Sequence, residues 1–308
     1  MRICSLLPSA TEIVYALGLG DQLVGVTHEC DYPPEATRLP AVTRAVFDHS
    51  SSSSQAIHNH VTDAIHGGTS IYALDRDLLA ELRPDLILTQ ELCEVCAVSY
   101  DEVARAVRLL PGEQRVLSLE PTSLDGVLQT IDELGRLAGA EANAGEVIAS
   151  LRKRIERVGL ATGGVVDPPR VLCVEWLDPL FVGGHWVPEM VQIAGGYDGL
   201  TQPGRHSRQV SWQEIASYDP TVIVFMPCGY DLRRTVEEFG GWMLPEVWPS
   251  LAAVRAGRVY ATDGSAYFSR PGPRLVDGLE ILAEVLHPEM FPRRTPQDAW
   301  QMLETTRA

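Results

Sequence analysis

DLLAELRPDLILTQELCEVC, residues Asp77 to Cys96, carries the plan of the chain. Leu78, Leu79 and Leu82 form one apolar face of a short helix, and Pro84 ends it because proline lacks the N–H a continuing helix needs. Leu86-Ile87-Leu88 then reads as a strand, too short and too uniformly apolar to be half-exposed, so it is expected to be buried on both faces. Gln90, Glu91, Cys93 and Cys96 follow its carboxyl end. Open α/β sheets bind their ligands just beyond strand carboxyl ends. The stretch therefore predicts a scaffold followed by a site.

The same arrangement returns in WQEIASYDPTVIVFMPCGY, Trp212 to Tyr230: a helix, Pro220, a buried strand over Val222 to Phe225, and a polar tip with Cys228. RICSLLPSATE from Arg2 is answered by RVLCVEWLDPL from Arg170, and RVLSLEPTSLD from Arg115 by RVYATDGSAYF from Arg258. Three matched elements in one order predict two similar α/β lobes with facing strand ends. Between the lobes, apolar residues at helical spacing (Val147, Ile148, Leu151, Ile155, Val158) predict a helix of about 25 Å. Gly163-Gly164 and Pro168-Pro169 close it. The expected division is an N-terminal lobe over 1–140 with a flexible insertion at 47–69, a connecting helix at 141–160, a second lobe over 168–288 and a tail at 289–308. The fold class is thus α/β: two Rossmann-like lobes with central parallel sheets, joined by a single long α-helix, with a ligand cleft between them.

With 308 residues, 45% of them hydrophobic, the chain can bury one large core or two moderate ones. The net charge of −16 argues against nucleic acid as a partner, since phosphate binding needs a basic face. No apolar run reaches bilayer length, so no membrane insertion is expected. Met1-Arg2 leads straight into Ile3-Cys4-Ser5-Leu6-Leu7, read as the first strand, and the expectation is a cytoplasmic chain without a secretory leader. A natural leader upstream would instead place it in the periplasm. In a cytoplasmic chain the six cysteines are thiols or ligands rather than a disulfide frame.

Ser9-Ala10-Thr11-Glu12 has the spacing of a capping box, opening a helix through Ile13, Val14 and Leu17. A second strand, Leu23 to Val26, opens into His28, Glu29, Cys30 and Tyr32. The serine run Ser50 to Ser54 and the segment with His58, His60 and His66 read as a loop or a partly helical flap. Beyond Phe291, Ala299, Trp300 and Leu303 mark a short amphipathic piece that packs back on a lobe.

PSATEIVYALGLGDQLVGVTHECDYP, ELRPDLILTQ, PLFVGGHWVPEMVQIAGG, SRQVSWQEIASYDPTVIV and RVYATDGSAYFSRPGPRL together resemble the substrate-binding proteins of iron-siderophore, haem and vitamin B12 ABC importers. The likeness spans about Arg2 to His287 and is nearest to the cobalamin-binding branch, through GVTHECDYP and Ser269 to Arg274. It implies two α/β lobes bridged by one helix (the helical-backbone, class III arrangement) and a non-catalytic role in holding a corrinoid or another metal–macrocycle or iron complex. An importer permease is the implied partner. Where the branch places aromatic residues, this chain has Gln90, Ser207 and Glu29. Docking on a permease through one acidic residue per lobe falls to Asp75 and to Glu214, beside Gln213.

The candidate ligand-binding residues are the polar and aromatic side chains of the strand tips: His28, Glu29, Cys30, Tyr32, Gln90, Glu91, Trp176, Trp186, Ser207, Cys228, Tyr267, Phe268 and Arg270. Trp176 and Trp186 flank Gly183-Gly184 and suit an aromatic wall for a planar ligand. Arg270 either binds a ligand carboxylate, amide or phosphate or pairs with Asp263. Cys93-x2-Cys96 has metal-ligand spacing but is half a zinc or iron site, to be completed by His28, Cys30 or Cys228. Cys4 and Cys173 lie inside expected strands and belong to the core. No nucleophile–base pair, zinc-protease motif or phosphate loop is present. The alternative to a binding protein is a metal-binding enzyme or metallochaperone built on Cys93 and Cys96.

Overall fold

Short apolar runs between helices give parallel strands wherever a helical crossover returns the chain to the same edge. The computed structural model describes residues 1–47, 52–67, 70–90, 103, 106–107 and 114–305. Two compact units emerge: one of Met1–Ser52, Ala56–Pro121 and Asp125–Ala149, the other of Ser53–Gln55, Thr122–Leu124 and Ser150–Ala308. In the first, β1 (Ile3–Ser5), β2 (Leu23–Val26), β5 (Leu86–Thr89) and β6 (Arg115–Ser118) form a parallel sheet in the order β2-β1-β5-β6. A separate antiparallel pair joins β3 (Thr43–Ala45) and β4 (Tyr72–Leu74). Leu86, Ile87 and Leu88 are all buried, together with Ile3 and Cys4 of the neighbouring strand, as their uniform apolarity requires.

The second unit has six strands in the order β12-β11-β10-β7-β8-β9. Its parallel centre is β7 (Val171–Trp176), β10 (Val222–Phe225) and β11 (Val259–Thr262). The edges β8 (Phe181–Val182), β9 (Arg208–Gln209) and β12 (Trp300–Met302) are antiparallel. Its core gathers Leu172, Val174, Ile223 and Phe225 with Phe239, Trp248 and Leu251.

The two repeated stretches fold alike in detail. Helix Arg76–Leu82 ends on Arg83 at φ 43°, and helix Trp212–Tyr218 ends on Asp219 at φ 46°. Each left-handed cap is followed by its proline, which cannot continue the helix, and the chain turns directly into β5 or β10. The echo seen in the sequence is thus one supersecondary unit used twice.

Helix Glu141–Thr162 passes from the first unit into the second. Within the second unit, Arg154 pairs with Asp277 and Glu280 of helix Leu275–Leu286, and Arg157 pairs with Glu280. Among the described residues no helix is long and apolar enough to cross a membrane.

One local reading is corrected, and two take definite form. The first helix, Pro8–Ala16, carries no Ser9–Glu12 capping box: Pro8, with its fixed φ, takes the first helical turn, Leu7 becomes the N-cap, and Ser9 and Glu12 lie buried within the helix. The serine- and histidine-rich segment forms a regular helix, Ser54–His66. The tail piece packs back on the second unit as read, as strand β12 flanked by buried Ala299 and Leu303.

Candidate functional site

In the first unit, β1, β2 and β5 deliver the start of helix Pro8–Ala16, the Thr27–Cys30 turn and Gln90 to the carboxyl side of one sheet. Val26 bonds to Pro40 and Val42, so the chain beyond the β2 turn returns alongside β2 and sets Thr43 against His28. The Thr43 hydroxyl is a hub. It lies 2.8 Å from Thr27 Oγ1 and 2.7 Å from His28 Nδ1, and it accepts from the His28 backbone N–H at 3.1 Å. The imidazole also packs edge-on against Tyr72, with ring centroids 5.3 Å apart. Glu29 Oε1 is 3.3 Å from His28 Nε2 but out of line for a hydrogen bond. Cys30 is buried, its sulfur 3.0 Å from Thr11 Oγ1. Tyr32 is exposed, whereas Gln90 is buried at the end of β5. Glu91, Cys93 and Cys96 lie outside the described residues.

Replacing Thr43 by valine keeps the shape and removes the hub. The half-buried His28 N–H and the buried Thr27 hydroxyl lose their shared partner, a loss of about 1–3 kcal/mol. Faster hydrogen exchange at the His28 amide is the expected sign; unchanged exchange would show that the hub holds nothing.

In the second unit, Glu175 near the end of β7 is the organising group. Its carboxylate accepts from Gly184 N–H at 3.2 Å and is hydrogen-bonded to the Ser207 side chain. Its backbone carbonyl takes the N–H of Cys228, joining the tips of β7 and β10. The residue keeps some exposed surface while its carboxylate is enclosed. Burial pushes its pKa up, and the bonds from Gly184 and Ser207 pull it partly back. A folded-state pKa above the unfolded value, about 4.3, means stability falls as pH rises between the two values. Above the folded value that loss is complete. Glutamine does not titrate, so Glu175→Gln should gain stability relative to the parent as pH climbs above about 4.3. Paired urea titrations across pH check this; a constant difference contradicts it.

Ser207 thus serves the protein's own carboxylate. Gly183 to Val187 and Gly204 to Ser207 lie side by side: His185 N–H donates to Arg205 O, and Gly204 N–H donates to His185 O. His185 takes φ 53°, and its Nε2 is 3.1 Å from His206 Nδ1. Trp186 is buried, donating to the Phe268 carbonyl at 2.8 Å, and Phe268 is buried too. Both therefore pack the unit's interior. Trp176 is half-buried against Tyr230 and donates to the carbonyl of Ser54, which belongs to the same unit. Cys228, Tyr267 and Arg270 are partly exposed on the tips of β10 and β11. Asp263 caps helix Gly264–Tyr267 through the Ala266 N–H; burial pushes its pKa up, and the Ala266 N–H, Arg274 and Arg270 pull it only partly back.

Cys4 and Cys173 are buried in β1 and β7, and burial raises the Cys4 thiol to about 12. Among the described residues no three His, Cys, Asp or Glu side chains gather to hold a metal. The two acidic docking candidates sit at the starts of equivalent helices, three positions apart in register. Asp75 is the exposed N-cap of helix Arg76–Leu82, accepting from Leu78 N–H at 2.9 Å. Glu214 closes a capping box with Ser211 at the start of helix Trp212–Tyr218 and pairs with Arg208. A cavity of about 410 Å³ lined by Arg170, Thr221, Arg258 and His287 lies at the opposite, amino end of the second sheet, away from these tips.

Thr43, Glu175, His185 and His206 went unnoticed in the sequence. Glu175 had a local signal, as an acid closing an apolar strand; Thr43 had none, because its partners are 15 and 16 residues away.

Comparison with known proteins agrees over nearly the whole chain. It is 27% identical over 302 residues to an uncharacterized ABC transporter substrate-binding lipoprotein, YvrC, of Bacillus subtilis, spanning 94% of this chain and 81% of that one. It is 24% identical over 297 residues to the vitamin B12-binding protein of Vibrio cholerae, spanning 92% of this chain and 88% of that one. The crystal structure of a periplasmic heme binding protein from Pseudomonas aeruginosa superposes with a TM-score of 0.71 at 22% identity, covering 96% of this chain and 95% of the other. The family model for periplasmic binding proteins matches residues 3–266. With strand tips furnished in this way and a match of that extent, the chain belongs to the periplasmic binding protein family.

Proposed function

We propose that this protein is a solute-binding component of an ABC importer and that its solute is a metal complex: a corrinoid, another metal–macrocycle or an iron complex. The reading is carried by one observation: potential donors and a carboxylate (His28, Cys30, Glu175, Cys228) all stand at carboxyl ends of parallel strands in a chain of this family. The relatives' names add support, one binding vitamin B12 and another heme. Holding such a solute needs shape, a few polar groups and no bond-making. Asp75 and Glu214, exposed acids on equivalent helices, are the permease contacts in this reading.

Titration of the purified chain with cyanocobalamin and, separately, with hemin tests the solute class. The expected result is one equivalent bound to at least one of them, with a shifted visible spectrum. Unchanged spectra and no calorimetric heat with both would remove the macrocycle reading.

A further inference from the structure

We propose that His185 and His206 form a two-imidazole metal site, in which His185 Nε2 and His206 Nδ1 take neighbouring positions on a first-row divalent transition-metal ion. The remaining positions stay with the water or small chelating ligands the ion arrives with. For its physiological sense the inference rests on the metal-complex reading; the site itself rests on geometry.

The first point is the bite. Two nitrogens each about 2.1 Å from one metal ion are about 3.0 Å apart at a right angle and about 3.4 Å apart at a tetrahedral angle. The observed separation is 3.1 Å, with ring planes crossing at 87°. A metal ion replaces the hydrogen bond between the rings once each ring turns its nitrogen lone pair by about 40° off the line between them, and the imidazole that carried the shared proton adopts its other tautomer. Both rings then ligate as neutral imidazoles, the form metals bind.

The second point is that the pair is built. His185 sits in the left-handed region at φ 53°, a conformation that persists in a non-glycine residue only where surroundings impose it. Here the surroundings are visible. Reciprocal backbone bonds tie His185 to Gly204 and Arg205, and the Glu175 carboxylate bonds to Gly184 and Ser207, the immediate neighbours of the two histidines. Trp186 lies against the His185 ring, with centroids 5.5 Å apart. Glu175 is a positioning residue for both histidines.

The third point is what the pair excludes. The free positions of a planar macrocycle lie on opposite faces of the ring, about 4 Å apart with the ring between them. Two nitrogens at 3.1 Å cannot fill both. An ion in an open chelate, or partly hydrated, offers adjacent positions that fit. Two donors form no closed cage, and among the described residues no third His, Cys, Asp or Glu joins them. The solute has to bring the rest of its coordination sphere.

The test is titration of the full, tag-free chain with nickel(II) chloride by calorimetry and with copper(II) chloride by electron paramagnetic resonance. One equivalent of nickel and copper hyperfine structure from two imidazole nitrogens are expected. His185→Asn or His206→Asn alone should weaken binding on the order of 100-fold, since each removes one arm of a chelate. His206 is exposed, so its variant should fold, and unchanged tryptophan emission confirms that. A variant lacking His58, His60 and His66 should bind as the parent does. Parent-like affinity in both single variants, or binding lost with the three helix histidines, overturns the proposal. If nickel binds through this pair while cobalamin and hemin do not, the inference stands and the macrocycle reading falls. If a macrocycle binds while nickel does not, the inference falls alone.

Discussion

Gly184→Ala is expected to destabilise the second unit by about 3 kcal/mol or more and to abolish nickel binding together with it. A Cβ on Gly184 would lie 2.2 Å from Ser207 N, 2.5 Å from His206 C and 2.7 Å from Arg205 O. All three are backbone atoms, so no rotamer change relieves the overlap. The two loops must separate, and the separation breaks what they jointly hold: the His185–Arg205 and Gly204–His185 bonds, the Glu175 bond to Gly184, and the 3.1 Å approach of the imidazoles. All six tryptophans fall at or beyond Trp176, inside the second unit, so urea unfolding followed by their emission reports on this unit alone. A parent-like midpoint with parent-like nickel affinity would show that the loops have slack the distances do not suggest.

The architecture was legible where it is local. Helix, proline and buried strand recur within about twenty residues of one another in both units, and each step has its own residue signature: leucine spacing, Pro84 or Pro220, then an unbroken apolar run. What stayed hidden was set at a distance or by strands of two or three residues. β8, β9 and β12 are too short to show a period, so the antiparallel edges of the second sheet left no pattern. Ser9-x-x-Glu12 matched a capping box, but proline at the preceding position outranked it. The box that does form, Ser211 with Glu214, has the same spacing without that competitor.

The site followed the same division. That polar groups would stand after Thr89, Val26 and Phe225 came from strand topology, and they do. Which of them face solute is decided by side-chain partners that no spacing announces. Trp176 and Trp186 suit an aromatic wall by their places around Gly183-Gly184, yet Trp186 is buried in the interior, where its indole N–H needs an acceptor and the Phe268 carbonyl supplies it. His185, between Gly184 and Trp186, has no local signal either: its left-handed φ of 53° is held by bonds to Gly204 and Arg205, some twenty residues away.

Phe225→Ala is the opposite kind of change: it should lower stability by about 3–5 kcal/mol while leaving the strand tips able to bind. Phe225 is fully buried on β10, with Phe239, Trp242 and Trp248 at centroid distances of 5.2, 5.8 and 6.4 Å. Truncation removes the shared member of that group and leaves a cavity walled by large rings anchored on other elements, which limits collapse. Of the three rings around it, the unpartnered polar atom is the buried Trp248 Nε1, and a lone donor gives a water too few bonds to be held there, so the cavity stays dry and the full loss is felt. The tips are positioned differently. Phe225 pairs with Val174 and Ala261 through the sheet ladder, and Cys228 N–H reaches the Glu175 carbonyl, all through backbone that alanine keeps. The urea midpoint by tryptophan emission should therefore fall sharply, whereas nickel affinity measured without denaturant should match the parent's. If that affinity fell with the midpoint while the emission spectrum stayed native, the side-chain core would be setting the loop geometry, and the assignment of that task to backbone bonds and Glu175 would be wrong.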